Sequence, residues 1–179
     1  MTRLFLVRHA PPLHGGRLAG RRDVPADLSD AAGLARLAAA LPRDIAALVS
    51  PALRCRQTAT ALGRDDARPD PALWEQGFGA WEGLAPADLP DLGDLAPSDL
   101  TAHRPPGGES FDDMAARAGA ALQAITEDCV IIAHAGTVRA AIALVTGPSA
   151  ISFQIAPASL TILNRAGAHW AIEAVNRLP

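Results

Sequence analysis

The chain has no lysine: all 16 of its basic residues, among 179 in total, are arginine. With positive charge confined to one residue type, a lone arginine carries little information, and only arginines placed by a pattern count. Cysteine is nearly absent as well. Cys55 and Cys129 are too few for a disulfide framework, which points to a reducing, cytoplasmic compartment. No stretch approaches the roughly 20 apolar residues that span a bilayer. The apolar run in the opening "MTRLFLVRHA" is too short for a signal peptide. The net charge is only −3, which gives no electrostatic case for a nucleic-acid partner or an anionic membrane. No repeat and no low-complexity linker divides the sequence. What is present, 49% hydrophobic and 20% charged residues, is the composition of a globular protein. The length suits one domain over 1–179 with room for a core.

Strands and helices alternate. Leu4–Val7, Ile45–Ser50 and Cys129–His134 are short, continuously apolar runs, and each is followed by a helical pattern. "LSDAAGLARLAAALP" reads as a helix capped by Ser29, with Leu34, Leu37 and Leu41 on one face and Pro42 as its stop. "PALRCRQTATALG" follows the second strand. "SFDDMAARAGAALQAI" is the clearest helix, with Ser110 and Asp113 as a capping box. "GTVRAAIALVTG" follows the third strand. The tail reads as a hairpin about Arg165–Gly167, and 64–108 reads as mostly irregular. Continuously apolar strands alternating with helices predict a mostly parallel sheet covered on both faces, an α/β fold.

Ligands of such sheets bind outside the carboxyl ends of the strands. The first strand delivers Arg8 and His9 there. The second delivers Ser50, with Arg54 one helical turn on. The third delivers His134, then Gly136 and the helix carrying Arg139. Arginine offers a planar fork that matches phosphate oxygens. A neutral imidazole is a nucleophile near pH 7. Histidine between arginines therefore suggests phosphoryl transfer through a phosphohistidine, and a carboxylic acid should complete it.

The motifs "LVRHA", "SPALRCRQTA", "LWEQGFGAWEG", "PPGGES" and "IIAHAGTVRA" resemble, in order, those of the histidine phosphatase superfamily, also called phosphoglycerate mutase-like. The resemblance implies a three-layer α/β/α sandwich. It implies that His9 is the residue phosphorylated, that Arg8, Arg54 and His134 complete the phosphate pocket, and that Glu75 is the proton donor. His134 thereby counts with both the catalytic and the phosphate-binding groups. Glu82 lies seven residues beyond Glu75 in the same motif and is its competitor. Arg139, Glu109 and His14 carry open roles, while His103 and His169 read as ordinary. Trp74 and Trp81 read as packing. Relatives need no metal, and no His/Cys/Asp cluster here has metal-ligand spacing, so neither metal nor cofactor is expected.

The chain departs from the usual pattern at "RHAPP", where Ala10, Pro11 and Pro12 replace a polar side chain two residues after the histidine. It departs again at "HAGTV", where Ala135 stands for a glycine. The resemblance implies a metal-independent acid-type histidine phosphatase, a phosphoric monoester hydrolase, acting on a small phosphorylated metabolite. The branch nearest in look contains alpha-ribazole phosphatase. Phosphoglycerate mutase-type transfer, a phosphohistidine protein phosphatase and a non-catalytic phosphate-binding module are the other readings. Oligomeric state is open.

Overall fold

The computed structural model describes residues 1–178. One six-stranded sheet forms the middle layer. Its strands are β1 (Thr2–Arg8), β2 (Ala46–Val49), β3 (Arg68–Pro69), β4 (Cys129–Ala133), β5 (Leu160–Ala166) and β6 (His169–Arg177), in the spatial order β3-β2-β4-β1-β5-β6. The pairings β3–β2, β2–β4 and β4–β1 are parallel, while β5 and β6 continue the sheet antiparallel. The helices are α1 (Ala31–Ala39), α2 (Leu53–Ala61), α3 (Pro97–Ala102), α4 (Phe111–Ala124) and α5 (Ala135–Thr146). The expected mostly parallel α/β sandwich is what forms, with a terminal hairpin completing the sheet.

The period-2 geometry of the central strands divides the core. Phe5, Val7, Val130 and Ile132 point to one face, where Leu34 and Leu37 of α1 and Cys55 and Ala59 of α2 cover them. Leu4, Leu6 and Ile131 point to the other face, against Leu122 of α4 and Val138 and Ile142 of α5. Both faces are dry, so Leu4–Val7 of β1 and Cys129–Ala133 of β4 are apolar at every position, as buried parallel strands require.

Two local expectations change. Asp30, not Ser29, caps α1: its Oδ1 accepts the Gly33 N–H at 2.8 Å. A carboxylate there also meets the positive end of the helix dipole, which a serine hydroxyl exploits less. The stretch 64–108 is less irregular than its Pro, Asp and Gly content suggests. It holds β3, α3 and short 3₁₀ turns at Pro71–Leu73, Gly79–Trp81 and Pro86–Asp88. Each turn is too short to show a hydrophobic period.

The α4 capping box forms as expected. Ser110 Oγ accepts the Asp113 N–H at 3.1 Å and Asp113 Oδ2 accepts the Ser110 N–H at 2.8 Å. Ser110 is buried, so water cannot replace the lost partner. Ser110→Ala should therefore destabilise the fold by about 1 kcal/mol in urea unfolding; an unchanged midpoint would show that Asp113 alone holds the helix start.

Candidate active site

The parallel strands place three side chains one residue beyond the sheet. His9 follows β1 and its N–H donates to the Ala133 carbonyl at 2.9 Å. Ser50 follows β2 and its N–H donates to the Ile132 carbonyl at 3.0 Å. His134 follows β4, which lies between these two strands, and begins α5. The alignment is a consequence of register: Arg8 pairs with Ala133 and Val49 with Ile132.

Arg54, in the first turn of α2, joins them and is 1% exposed. Its Nε donates to His9 Nε2 at 3.3 Å and its Nη2 to His134 Nδ1 at 3.1 Å. The same guanidinium donates to the Gly20 and Arg22 carbonyls at 2.8 and 2.9 Å. Asp23 on that loop caps α2, its Oδ1 accepting the Leu53 N–H at 2.6 Å.

Arginine has only donors, so these contacts fix both imidazoles. His9 carries its proton on Nδ1, which donates to the Ala10 carbonyl at 2.7 Å, and presents a lone pair at Nε2. His134 accepts at Nδ1 and carries its proton on Nε2, facing Ser50 Oγ at 2.8 Å. The two rings meet edge to face with centroids 5.2 Å apart, and Trp74 stacks over His134. Burial lowers the His9 pKa to about 3, with Arg54 and Arg8 adding to the effect against the Ala10 bond. Burial, then His9 and the arginines, likewise push His134 well below the ordinary range.

A cavity of about 310 Å³ opens over this cluster. Arg8, His9, Arg54 and Glu75 all line it, as do Arg139 and His14. His134 does not: it is fully buried behind Arg54 and His9. Arg8 donates through Nη1 to the Ile155 carbonyl, and its buried Nε has no hydrogen-bond partner. Arg139 donates through Nε to the Phe153 carbonyl at 2.9 Å. Leu18, Phe78 and Leu89 supply an apolar wall further out.

Glu75 and Glu82 stand in different places: Glu75 lines the cavity and Glu82 does not. Glu82 Oε1 accepts the Arg21 and Phe78 backbone N–H groups at 2.9 and 3.0 Å, bracing the cavity loops from behind. Glu75 reaches the start of α5, where its Oε2 lies 3.4 Å from the Gly136 N. A Cβ at position 136 would come within 2.1 Å of Glu75 Oε1, so only glycine leaves the carboxylate its place. Trp81 stacks on His103, away from the cavity lining. Among the described residues, no group of His, Cys, Asp and Glu side chains could hold a metal ion.

Thr58 escaped the sequence reading. Its hydroxyl donates to the Arg54 carbonyl at 2.7 Å and accepts the Ala10 N–H at 3.0 Å, fixing the backbone just after His9. Its position four residues after Arg54, on the same helix face, was the available signal. Asp23 had none, because its partner lies 30 residues away.

The folded His9 refuses a proton that the unfolded chain accepts. Its contribution to stability is therefore intact above pH 6.5 and falls as pH drops toward about 3. Between pH 7 and 5 this costs about 2 kcal/mol. His9→Gln should lose about that much less stability than the wild type over the same interval, by urea unfolding in buffers free of phosphate and sulfate; equal losses would mean that His9 protonates within the fold.

The family model for the histidine phosphatase superfamily, branch 1, matches residues 4–178. The crystal structure of TTHB049 from Thermus thermophilus is 30% identical with a TM-score of 0.83, covering 98% of this chain and 99% of its own. A phosphoglycerate mutase from the same organism is 33% identical with a TM-score of 0.77, covering 90% of this chain and 92% of its own. Bacillus stearothermophilus YhfR shares the fold at 22% identity, with a TM-score of 0.83 and coverage of 100% and 98%. No curated protein matches the chain.

Proposed function

The chain belongs to the histidine phosphatase superfamily, branch 1, and on that premise we propose that it is a metal-independent phosphomonoesterase working through a phosphohistidine at His9. The observation that carries this reading is the His9 tautomer. Nδ1–H is committed to the Ala10 carbonyl, which leaves Nε2 without a proton, held only by a long 3.3 Å contact from Arg54 Nε, at a cavity that His9 lines together with Arg8 and Arg54.

In the first step the Nε2 lone pair attacks phosphorus and the P–O ester bond breaks. The proton of a protonated Glu75 carboxyl goes to the leaving oxygen, which departs as an alcohol. Arg8 and Arg54 take the phosphoryl oxygens; the unpartnered Arg8 Nε supports that role. Charge spreads over those oxygens during transfer, so the forks bind the transition state more strongly than the ground state. In the second step water attacks phosphorus and gives a proton to Glu75. The P–N bond breaks, its electron pair returns to Nε2, and inorganic phosphate leaves. His134 acts from behind the cavity, holding Arg54 and packing the His9 ring.

Hydrolysis is favoured over mutase transfer by the cover of the cavity. Of residues 86–100 only Pro86 and Leu89 line the cavity, and the segment holds only short elements, a thin cover against water. A mutase has to keep water from its phosphoenzyme. The phosphoglycerate mutase of Thermus thermophilus at 33% identity is what favours the mutase reading. "RHAPP" with "FGAWEG" resembles the alpha-ribazole phosphatase branch, so a small nucleoside-like phosphate is the first substrate to assay. Phosphate exchange between labelled phosphoglycerates would favour the mutase.

Labelled substrate quenched without acid should leave an acid-labile, base-stable phosphate on His9, and His9→Ala should abolish both adduct and turnover. An active His9→Ala protein would refute the mechanism.

Glu75 tests the acid step. An alkoxide leaves poorly without a proton, whereas a nitrophenolate needs little help. Glu75→Gln should slow phosphorylation by alkyl phosphates by about 10²–10⁴-fold and by aryl phosphates much less. Equal losses on both substrates would move the proton donor elsewhere.

A further inference from the structure

Glu75 sits on a segment without regular structure between two short 3₁₀ turns, yet a general acid has to be held to within a fraction of an ångström. Something outside the segment must hold it. Before Glu75, the Ala72 and Trp74 carbonyls both accept from Arg117 Nη1, at 2.7 and 3.0 Å. After Glu75, the Gly77 N–H donates to Glu109 Oε2 at 3.0 Å. The main chain of Glu109 adds two more ties: its N–H donates to the Gly77 carbonyl at 2.7 Å and its carbonyl accepts from Gln76 Nε2 at 2.8 Å.

Arg117 and Glu109 are themselves joined as a fork. Arg117 Nε lies 3.3 Å from Glu109 Oε1, and Nη2 lies 3.0 Å from Oε2. Such bidentate pairs are geometrically specific as well as strong. Both residues are only partly buried, yet Arg117 is held on α4 and Glu109 directly precedes Ser110, whose capping box fixes the helix start. Arg21 adds a third charge, its Nη2 donating to Glu109 Oε1 at 2.9 Å and so tying in the loop whose Leu18, Ala19 and Gly20 line the cavity. The backbones of 77–79 and 106–108 touch directly: a Cβ on Gly108 would meet the Gly77 carbonyl oxygen at 2.5 Å. Burial raises the Glu109 pKa, but the Gly77 N–H and the two arginines outweigh it, so its carboxyl titrates below the ordinary range and stays charged at neutral pH.

We propose that the Glu109–Arg117 pair is a positioning device for the acid Glu75, gripping the chain on both sides of it while touching neither substrate nor reacting atoms. This rests on the reading of Glu75 as proton donor. It distinguishes the pair from an ordinary surface ion pair, whose worth is small. The contribution lies in where Glu75 stands, so its loss appears in the step that needs the proton.

The test uses the intact protein with an alkyl and an aryl phosphate, following phosphoenzyme formation in the variants Glu109→Gln and Arg117→Lys. The second keeps the charge and loses the fork. Both should slow phosphorylation by the alkyl phosphate by at least about tenfold, a fraction of what a positioned acid supplies, while the aryl phosphate is slowed far less. Inhibition by inorganic phosphate should stay within about twofold of wild type, since Arg8 and Arg54 are untouched. In the Glu75→Gln background, Glu109→Gln should add no further alkyl-specific loss, because the acid it positions is gone. Equal losses on both substrates, or a full additional loss in the double variant, would overturn the proposal and leave a structural brace only. If Glu75→Gln alone shows no leaving-group selectivity, the acid assignment fails instead, an outcome separable from the first.

Discussion

A buried guanidinium with no carboxylate beside it organises this protein. Among the described residues Arg54 forms no ion pair, and its donors go to two backbone carbonyls and two imidazole nitrogens. A charge kept from water without a counter-ion is costly unless hydrogen bonds and a bound anion offset the loss. The fold supplies the bonds; an anionic ligand would supply the charge. Because arginine only donates, both histidines must accept from it, and that settles their tautomers. Because Arg54 is cationic, it also disfavours protonation of either ring. The carbonyls it grips, at Gly20 and Arg22, place one wall of the cavity. The proposed nucleophile, its support and one wall thus depend on a single side chain at the start of α2.

The sheet was legible because buried parallel strands and their helices leave strong periodic signals. Leu34, Leu37 and Leu41 are buried together as their spacing requires, and Ser110 and Asp113 cap each other. Arg8, His9, Ser50, Arg54 and His134 could be placed because each sits within a few residues of a strand end, where topology alone brings the chain together. Glu75 was legible only by resemblance: its segment has no period, and its place comes from side chains 34 and 42 residues away. The same limit hid Asp23 and the bracing role of Glu82. Local pattern records what neighbours in sequence do for each other, and these residues serve distant ones.

The departures from the family's usual motif have a structural counterpart. Two residues after His9 stands Pro11, which is exposed and outside the cavity lining, while Ala10 is buried with its N–H on Thr58 and its carbonyl on His9. Neither of these side chains lines the cavity, whereas Pro12 and His14 face it from the same loop. On the proposed function, discrimination among substrates would then fall to Leu18, Phe78 and Leu89 and to the cations Arg139 and Arg17, all of which line the cavity.

The strand that leads into His9 is the first of the six in the sequence, and its neighbours lie far along the chain. Thr2–Val7 pairs with Leu160–Arg165 on one side, and Leu4–Arg8 with Cys129–Ala133 on the other. No partner of β1 exists until the ribosome has passed residue 129, and its second partner follows more than thirty residues later. Contacts so distant in sequence are closed late and slowly. A chain that ends before Cys129 therefore has neither partner strand for β1 and lacks His134. The proposed site is thus assembled only on completion of the sheet, because His9 and His134 stand at the ends of paired strands far apart in sequence.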